Sequence, residues 1–251
     1  MQIIGKTALV TGSSHRLGKA ILMKLAHEGA NVVVHYNSSA QAAAQTVDEA
    51  KALGVDAIAI QCDIAKLEEV QRMRQVVEAH FGGVDILVNN AVFFGQHPVP
   101  TDDYTVWHGV TGVTINGTFY VSNEFAPSML ARGGGIIINM IDAAAWEPWP
   151  NLTAYCVAKT GLVAMTKMLA LELAPSIRVN AIAPGPVLPP RHYDETLLAK
   201  IADPTLLKRW GSVEDVTRAV KYLIEADYVT AEVTGVNGGA PYGLHLGVTV
   251  D

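Results

Sequence analysis

The sequence predicts one doubly wound α/β domain, a parallel sheet covered by helices on both faces. Two observations lead there. Short apolar runs alternate with helix-length segments along the chain, and right-handed crossovers between parallel strands place such helices on both sides of a sheet. The chemically distinctive motifs fall just after the apolar runs, at the carboxyl ends of the expected strands, where open parallel sheets bind their ligands. The length of 251 residues suits one domain, 1–251, around one sheet.

The runs Thr7–Val10, Val32–His35, Ala57–Ile60, Ile86–Asn89, Ile136–Met140 and Arg178–Ile182 read as strands. A helical pattern follows the first and runs through Glu28 to a stop at Gly29. The longest helical pattern is Thr153 to Leu173. It is apolar on more than one face at Leu162-Val163-Ala164-Met165 and Met168-Leu169-Ala170-Leu171, so it needs burial on more than one side. From Ala183 to Asp203 the pattern breaks, with Pro184, Gly185, Pro186, Pro189 and Pro190 in close succession. That is too long for a routine connection and reads as a lid, about residues 184–212, over a ligand.

Hydrophobic residues make up 50% of the chain and charged ones 17%, ample for a core. The formal charge is −6, and no basic run appears, which argues against nucleic acid or an anionic membrane surface as partner. Small, mostly neutral molecules fit better. Cys62 and Cys156 have no metal-ligand or redox spacing, so reduced thiols and no metal site are expected. Without an apolar leader after Met1 or a membrane-length apolar stretch, the default expectation is a cytoplasmic protein.

Thr11-Gly12-Ser13-Ser14-His15-Arg16-Leu17-Gly18 links the first strand to the first helix. Glycines let the backbone pass close to a pyrophosphate, and the amides and dipole of a helix N-terminus favour its charge. A dinucleotide is the expected ligand. A carboxylate able to hold an NAD ribose would lie at the end of the second strand, and His35-Tyr36-Asn37-Ser38-Ser39 contains none. Arg16 adds a fixed cation, and Asn37, Ser38 and Ser39 could surround a 2′-phosphate, which favours NADP(H). Asp63, after the third strand, is placed to touch the adenine, and Asn89-Asn90-Ala91 could brace the strand ends.

Tyr155 and Lys159 stand four residues apart on one face of the long helix. A free phenol, with a pKa of ~10, is a poor acid-base group near neutral pH, and a neighbouring ammonium stabilises its anion.

The motifs Thr11-Gly12 to Gly18, Asn89-Asn90-Ala91, Asn116, Tyr155-x-x-x-Lys159 and Pro184-Gly185 occur in the order and spacing of the short-chain dehydrogenase/reductases. The resemblance runs almost the whole chain, to Val236-Asn237-Gly238-Gly239. It implies a Rossmann-type, mostly parallel seven-stranded sheet and a homotetramer formed through the long helix and the one before it. It also implies that Tyr155 is the general acid, that Lys159 lowers its pKa and binds the nicotinamide ribose, and that Asn116 holds a relay water. The cofactor set expected on this basis is Gly12, Ser14, His15, Arg16, Leu17, Tyr36, Asn37, Ser38, Asp63, Ile64, Asn90, Ala91, Tyr155, Lys159, Pro184 and Gly185.

The family's fourth catalytic residue is a serine thirteen positions before the tyrosine, and Asp142 stands there. An ionised carboxylate opposes the charge that a ketone oxygen gains during hydride transfer. Asp142 therefore either stays protonated in a desolvated site or serves a substrate with N–H donors and a ring nitrogen to protonate. The Arg16-Leu17-Gly18 turn, His35-Tyr36, Phe94 four residues after Asn90, and Asp142 together resemble the pteridine reductase branch. That resemblance implies a pterin-like substrate bound by Arg16, Phe94, Asp142 and Tyr155, with Phe94 stacked on the ring opposite the nicotinamide. Trp146, Trp149, Arg191, His192 and Tyr193 are further candidates for the pocket wall.

Three functions fit these residues. The first is an NADPH-dependent reductase of a C=N bond in a pterin-like heterocycle. The second is a carbonyl reductase of 3-oxoacyl thioesters or ketones, and the third a non-enzymatic NADP(H) sensor. Asn116, Tyr155 and Lys159 together weigh against the sensor, which needs no proton relay.

Overall fold

A computed structural model describes residues 1–189 and 192–243. Seven strands form one sheet: β1 (Thr7–Val10), β2 (Asn31–Tyr36), β3 (Ala57–Gln61), β4 (Ile86–Asn89), β5 (Gly135–Met140), β6 (Ile177–Pro184) and β7 (Val233–Val236). Their order is β3-β2-β1-β4-β5-β6-β7, and all six pairings are parallel. This is a Rossmann-type sheet. Its central strands are continuous apolar runs because both faces are covered. The pleat then divides each run: Ala8, Val10, Val32, Val34, Ile86, Val88, Ile136 and Ile138 enter one core layer, while Leu9, Val33, Leu87 and Ile137 enter the other.

The first layer is closed by α1 (Arg16–His27) and α8 (Val213–Glu225), the second by α3 (Leu67–Phe81), α5 (Thr118–Ala131) and α6 (Thr153–Leu173). The remaining helices are α2 (Ala40–Lys51), α4 (Thr105–Thr111), α7 (Glu195–Ala202) and the short α9 (Ala240–Gly243). Between α4 and α5 the helical path widens into a π-type turn over Gly112–Gly117. The helix α6 is long and apolar enough to cross a membrane by composition, yet it packs on β6 as a core helix and buries Tyr155 and Lys159.

Two features depart from the pattern of apolar runs and breaks. The seventh strand has Thr234-Gly235 at its centre, so no apolar run marks it. The stretch Ala183 to Asp203, irregular by its prolines, contains α7, which Asp194 caps by accepting from the Leu197 N–H at 2.8 Å. The Trp210 indole donates to the Leu198 carbonyl at 2.8 Å and ties α7 to the following loop. Pro190 and Arg191 lie outside the described residues.

Candidate active site

The strand-to-helix turn is built for close approach. Gly12 takes a left-handed φ of +66°, and a Cβ on Gly18 would collide with the Gly12 carbonyl oxygen. Thr11 accepts at Oγ1 from the amides of Asn90 and Ala91, both at 2.9 Å, and Asn90 Nδ2 donates back to the Thr11 carbonyl at 2.9 Å. The expected brace between β1 and β4 is thus formed. Asn89 extends it inward, donating to Ser122 at 3.0 Å and to Asn139 at 2.9 Å. No side chain caps α1 and its first turn holds no carboxylate, so its leading amides are left for an anionic ligand.

A cleft of about 520 Å³ runs from this turn over the carboxyl edge of the sheet. Gly12, Ser14, His15, Arg16 and Leu17 line one end, with Tyr36, Asn37, Ser38, Ser39, Asp63 and Ile64 beside them. Asn90 and Ala91 form the middle, and Asp142, Tyr155, Lys159, Pro184 and Gly185 the other end. The length, the glycine cradle and the free helix amides suit a dinucleotide. Arg16 holds a φ of +53°, strained for a residue with a Cβ, and its guanidinium donates to the Leu188 carbonyl at 2.9 Å, linking turn to lid.

At the far end, Asp142 leaves β5 and caps a short turn, Oδ1 accepting from the Ala144 N–H at 3.0 Å. Its Oδ2 accepts the Tyr155 hydroxyl at 3.0 Å. Lys159 is buried, donates to the Met140 carbonyl at 2.8 Å, and lies 5.5 Å from the centre of the Tyr155 ring. Burial raises the Asp142 carboxyl above its ordinary value, despite its hydrogen bonds and the Lys159 charge. Burial and the neighbouring carboxylate push the Tyr155 phenol up as well. Burial brings the Lys159 ammonium down to about 8. Each shift follows from withdrawing charge from water.

The remaining expected residues divide. Phe94 meets Tyr155 edge-on, ring centres 5.2 Å apart at 77°, and is 57% exposed, but the aromatic that lines the cleft is its neighbour Phe93. Phe93 lies against Gly109, where a Cβ would touch its ring at 2.9 Å. Trp146 and Trp149 are exposed, and His192 packs edge-on against Tyr193 at 5.0 Å. Asn116 is exposed on the π-type turn and is absent from the cleft lining, so the expected relay position is not met. A wider turn carries an extra residue and alters which side chains face inward. Thr114 is the inward residue, fully buried, with no partner for its hydroxyl among the described residues. His35 also belongs to the site. It lines the cleft, and its signals in the sequence are the His35-Tyr36 pair and an imidazole directly after the apolar run Val32-Val33-Val34.

A family model described as short chain dehydrogenase matches residues 6–196. The chain belongs to the short-chain dehydrogenase family. It is 36% identical over 241 residues to the 3-oxoacyl-[acyl-carrier-protein] reductase FabG of Staphylococcus epidermidis, covering 94% of this chain and 99% of that protein. A 7α-hydroxysteroid dehydrogenase complexed with NADH superposes with a TM-score of 0.89 at 32% identity, covering 95% of each chain. A blue fluorescent protein from a metagenomic library, in complex with NADPH, gives 0.88 at 30% identity, covering 96% of this chain and 99% of that one. This short-chain dehydrogenase is accordingly an NAD(P)-dependent oxidoreductase of small molecules. These relatives show the family and do not single out the pteridine reductase branch expected from the Arg16-Leu17-Gly18 turn, His35-Tyr36, Phe94 and Asp142.

Proposed function

We propose that this short-chain dehydrogenase is an NADPH-dependent reductase of a C=N bond in a flat, pterin-like heterocycle. The hydrogen bond from Tyr155 to Asp142 carries the reading. A phenol has one hydrogen to donate, and here it points at a carboxylate. A ketone oxygen arriving beside Asp142 would meet negative charge where it needs a donor. A heterocycle with amino and ring N–H groups supplies the donors that Asp142 accepts. Its imine nitrogen takes the proton from Tyr155. Bound NADPH supplies the hydride to the adjacent carbon.

Lys159 sits within reach of the tyrosine ring and, while protonated, eases loss of the phenolic proton. Phe94, exposed and in edge contact with Tyr155, would offer an aromatic face, worth about 1 kcal/mol beyond area burial and able to fix the ring plane. NADPH over NADH is supported by the absence of a carboxylate at Tyr36 to Ser39 and by Arg16 in the turn. The lid is the 184–212 segment, which Arg16 holds at Leu188. The proposed assembly is a homotetramer in the cytoplasm. Phe119 and Leu130 on α5 and Val157, Met168 and Leu171 on α6 are large apolar side chains left exposed on one chain, the surface that such an assembly would cover.

A second reading is favoured by the identity to FabG: reduction of a 3-oxoacyl thioester, with Asp142 protonated and donating to the carbonyl oxygen. The raised carboxyl of Asp142 is compatible with it. NADPH oxidation by purified protein offered dihydropterins, 3-oxoacyl thioesters and simple quinones separates the two. Turnover of the thioester without turnover of any pterin overturns the first reading.

A further inference from the structure

We propose that His35 is a positioning residue for the cofactor, a neutral imidazole whose Nδ1 holds the Gly12 amide and so sets the shape of the phosphate turn. The inference rests on the reading that this turn receives the cofactor pyrophosphate.

Four hydrogen bonds hold His35 in place. Its Nδ1 accepts from the Gly12 N–H at 2.8 Å. Its Nε2 faces the Cys62 carbonyl oxygen at 2.9 Å. The His35 amide donates to Ser13 Oγ at 3.2 Å, and the His35 carbonyl accepts the Ser13 N–H at 3.0 Å. An amide cannot accept and a carbonyl cannot donate, so these neighbours select one tautomer, with the hydrogen on Nε2.

The surroundings keep that tautomer neutral. His35 is buried, and burial pushes its imidazole down to about 4. Asp63 is the charged group acting on it, and the adjoining Cys62 thiol, driven up to about 12 by burial and by Glu69 and Asp63, stays uncharged. A second proton would place a donor on Nδ1 facing the Gly12 N–H, and the contact would become repulsive. Ordinary solution pH leaves the acceptor intact.

Position turns this contact into a cofactor function. Gly12 sits at φ +66° where β1 opens into the turn, and its carbonyl oxygen occupies the space that a Gly18 Cβ would need. With its N–H fixed inward on His35, Gly12 leaves the amides that begin α1 to the pyrophosphate. The same imidazole ties the turn to the start of the loop after β3, where Cys62, Asp63 and Ile64 line the cleft. One side chain thereby sets the spacing between the phosphate and adenosine ends of the cleft.

Two substitutions separate positioning from mere packing. The shorter amide side chain introduced by His35→Asn places its carbonyl oxygen near the former Nδ1, so that variant keeps an acceptor for Gly12. His35→Gln reaches instead toward Cys62 and gives Gly12 up. Binding of NADP⁺ and NAD⁺ is measured by calorimetry, with folding checked by circular dichroism and thermal melting. The expected result is roughly tenfold weaker binding of both nucleotides to His35→Gln, as befits loss of one buried hydrogen bond, and binding within about threefold of the parent for His35→Asn. Equal affinities for the two variants, or the reverse order, overturn the proposal. So does a long-range ¹H–¹⁵N spectrum of the parent showing the hydrogen on Nδ1. Gly18→Ala is the control for the underlying reading. If it binds NADP⁺ as well as the parent, the turn is not the pyrophosphate site; if it binds weakly while His35→Gln does not, only the role of His35 fails.

Discussion

Tyr155 gives its only hydroxyl hydrogen to Oδ2 of Asp142 at 3.0 Å, and the other carboxylate oxygen is held by the Ala144 amide at 3.0 Å. Both bonds orient the carboxylate before any ligand arrives. Burial raises the pKa of both groups; the hydrogen bond from Tyr155 works against the rise at Asp142, whereas the neighbouring carboxylate adds to the rise at Tyr155. Tyr155 therefore holds its proton until a substrate nitrogen competes for it. Replacement by Phe removes the proton donor while keeping the ring and its edge contact with Phe94. The expected outcome for Tyr155→Phe is a kcat lower by about 10²- to 10⁴-fold, measured by NADPH oxidation, with NADPH binding by fluorescence changed by less than about threefold.

Asp142 is the residue on which the substrate class turns. A serine in its place would donate to a carbonyl oxygen and would no longer accept from the N–H groups of a heterocycle. For Asp142→Ser the expected change is a fall in dihydropterin kcat/KM of about 10²-fold, the scale of one charge-assisted hydrogen bond, with ketone or thioester turnover rising. Pterin turnover that is unchanged or higher in the variant would exclude a carboxylate contact with the substrate.

The ammonium of Lys159 predicts a pH limb. Burial lowers its folded value to about 8 from 10.5, so its charge is lost as pH rises through about 8. The phenol then loses its electrostatic support, and kcat/KM should fall above that pH, up to about tenfold per unit. Stability has the opposite sign. Between about 8 and 10.5 the unfolded chain binds more protons at this site than the folded one, so this group makes unfolding harder as pH rises. Lys159→Arg, charged throughout, should lose the limb. A pH profile of kcat/KM beside a pH series of thermal melts reads both effects.

The sheet was legible in the sequence because strands buried on both faces are continuous apolar runs, as Leu9, Val33, Leu87 and Ile137 illustrate. The strand Val233–Val236 was not, since Gly235 interrupts it, and α7 was hidden among prolines. The glycine turn and the Tyr155 and Lys159 pair were legible because each is a local pattern with a physical reason. The contact between Asp142 and Tyr155 spans a strand end, a short turn and the start of a helix, and no periodicity reveals it. The role of His35 depends on two partners, Gly12 and Cys62, that only the parallel pairing of β1, β2 and β3 brings to it.

Asn116 supplies the last test. The family resemblance makes it the holder of a relay water, but the π-type turn leaves it exposed, while Thr114 on the same turn is buried, its hydroxyl without a partner among the described residues. A buried hydroxyl without a partner is costly, by roughly 1–3 kcal/mol, which favours an internal water beside it. Asn116→Ala should then keep kcat within about twofold and leave the melting temperature nearly unchanged, as for an exposed position away from packing. Thr114→Val keeps the shape and removes the hydroxyl. If the buried hydroxyl serves proton traffic, that variant loses about tenfold in kcat while melting at the same temperature or higher. A large loss of kcat in Asn116→Ala would restore asparagine to the relay and show that the turn rearranges when ligands bind.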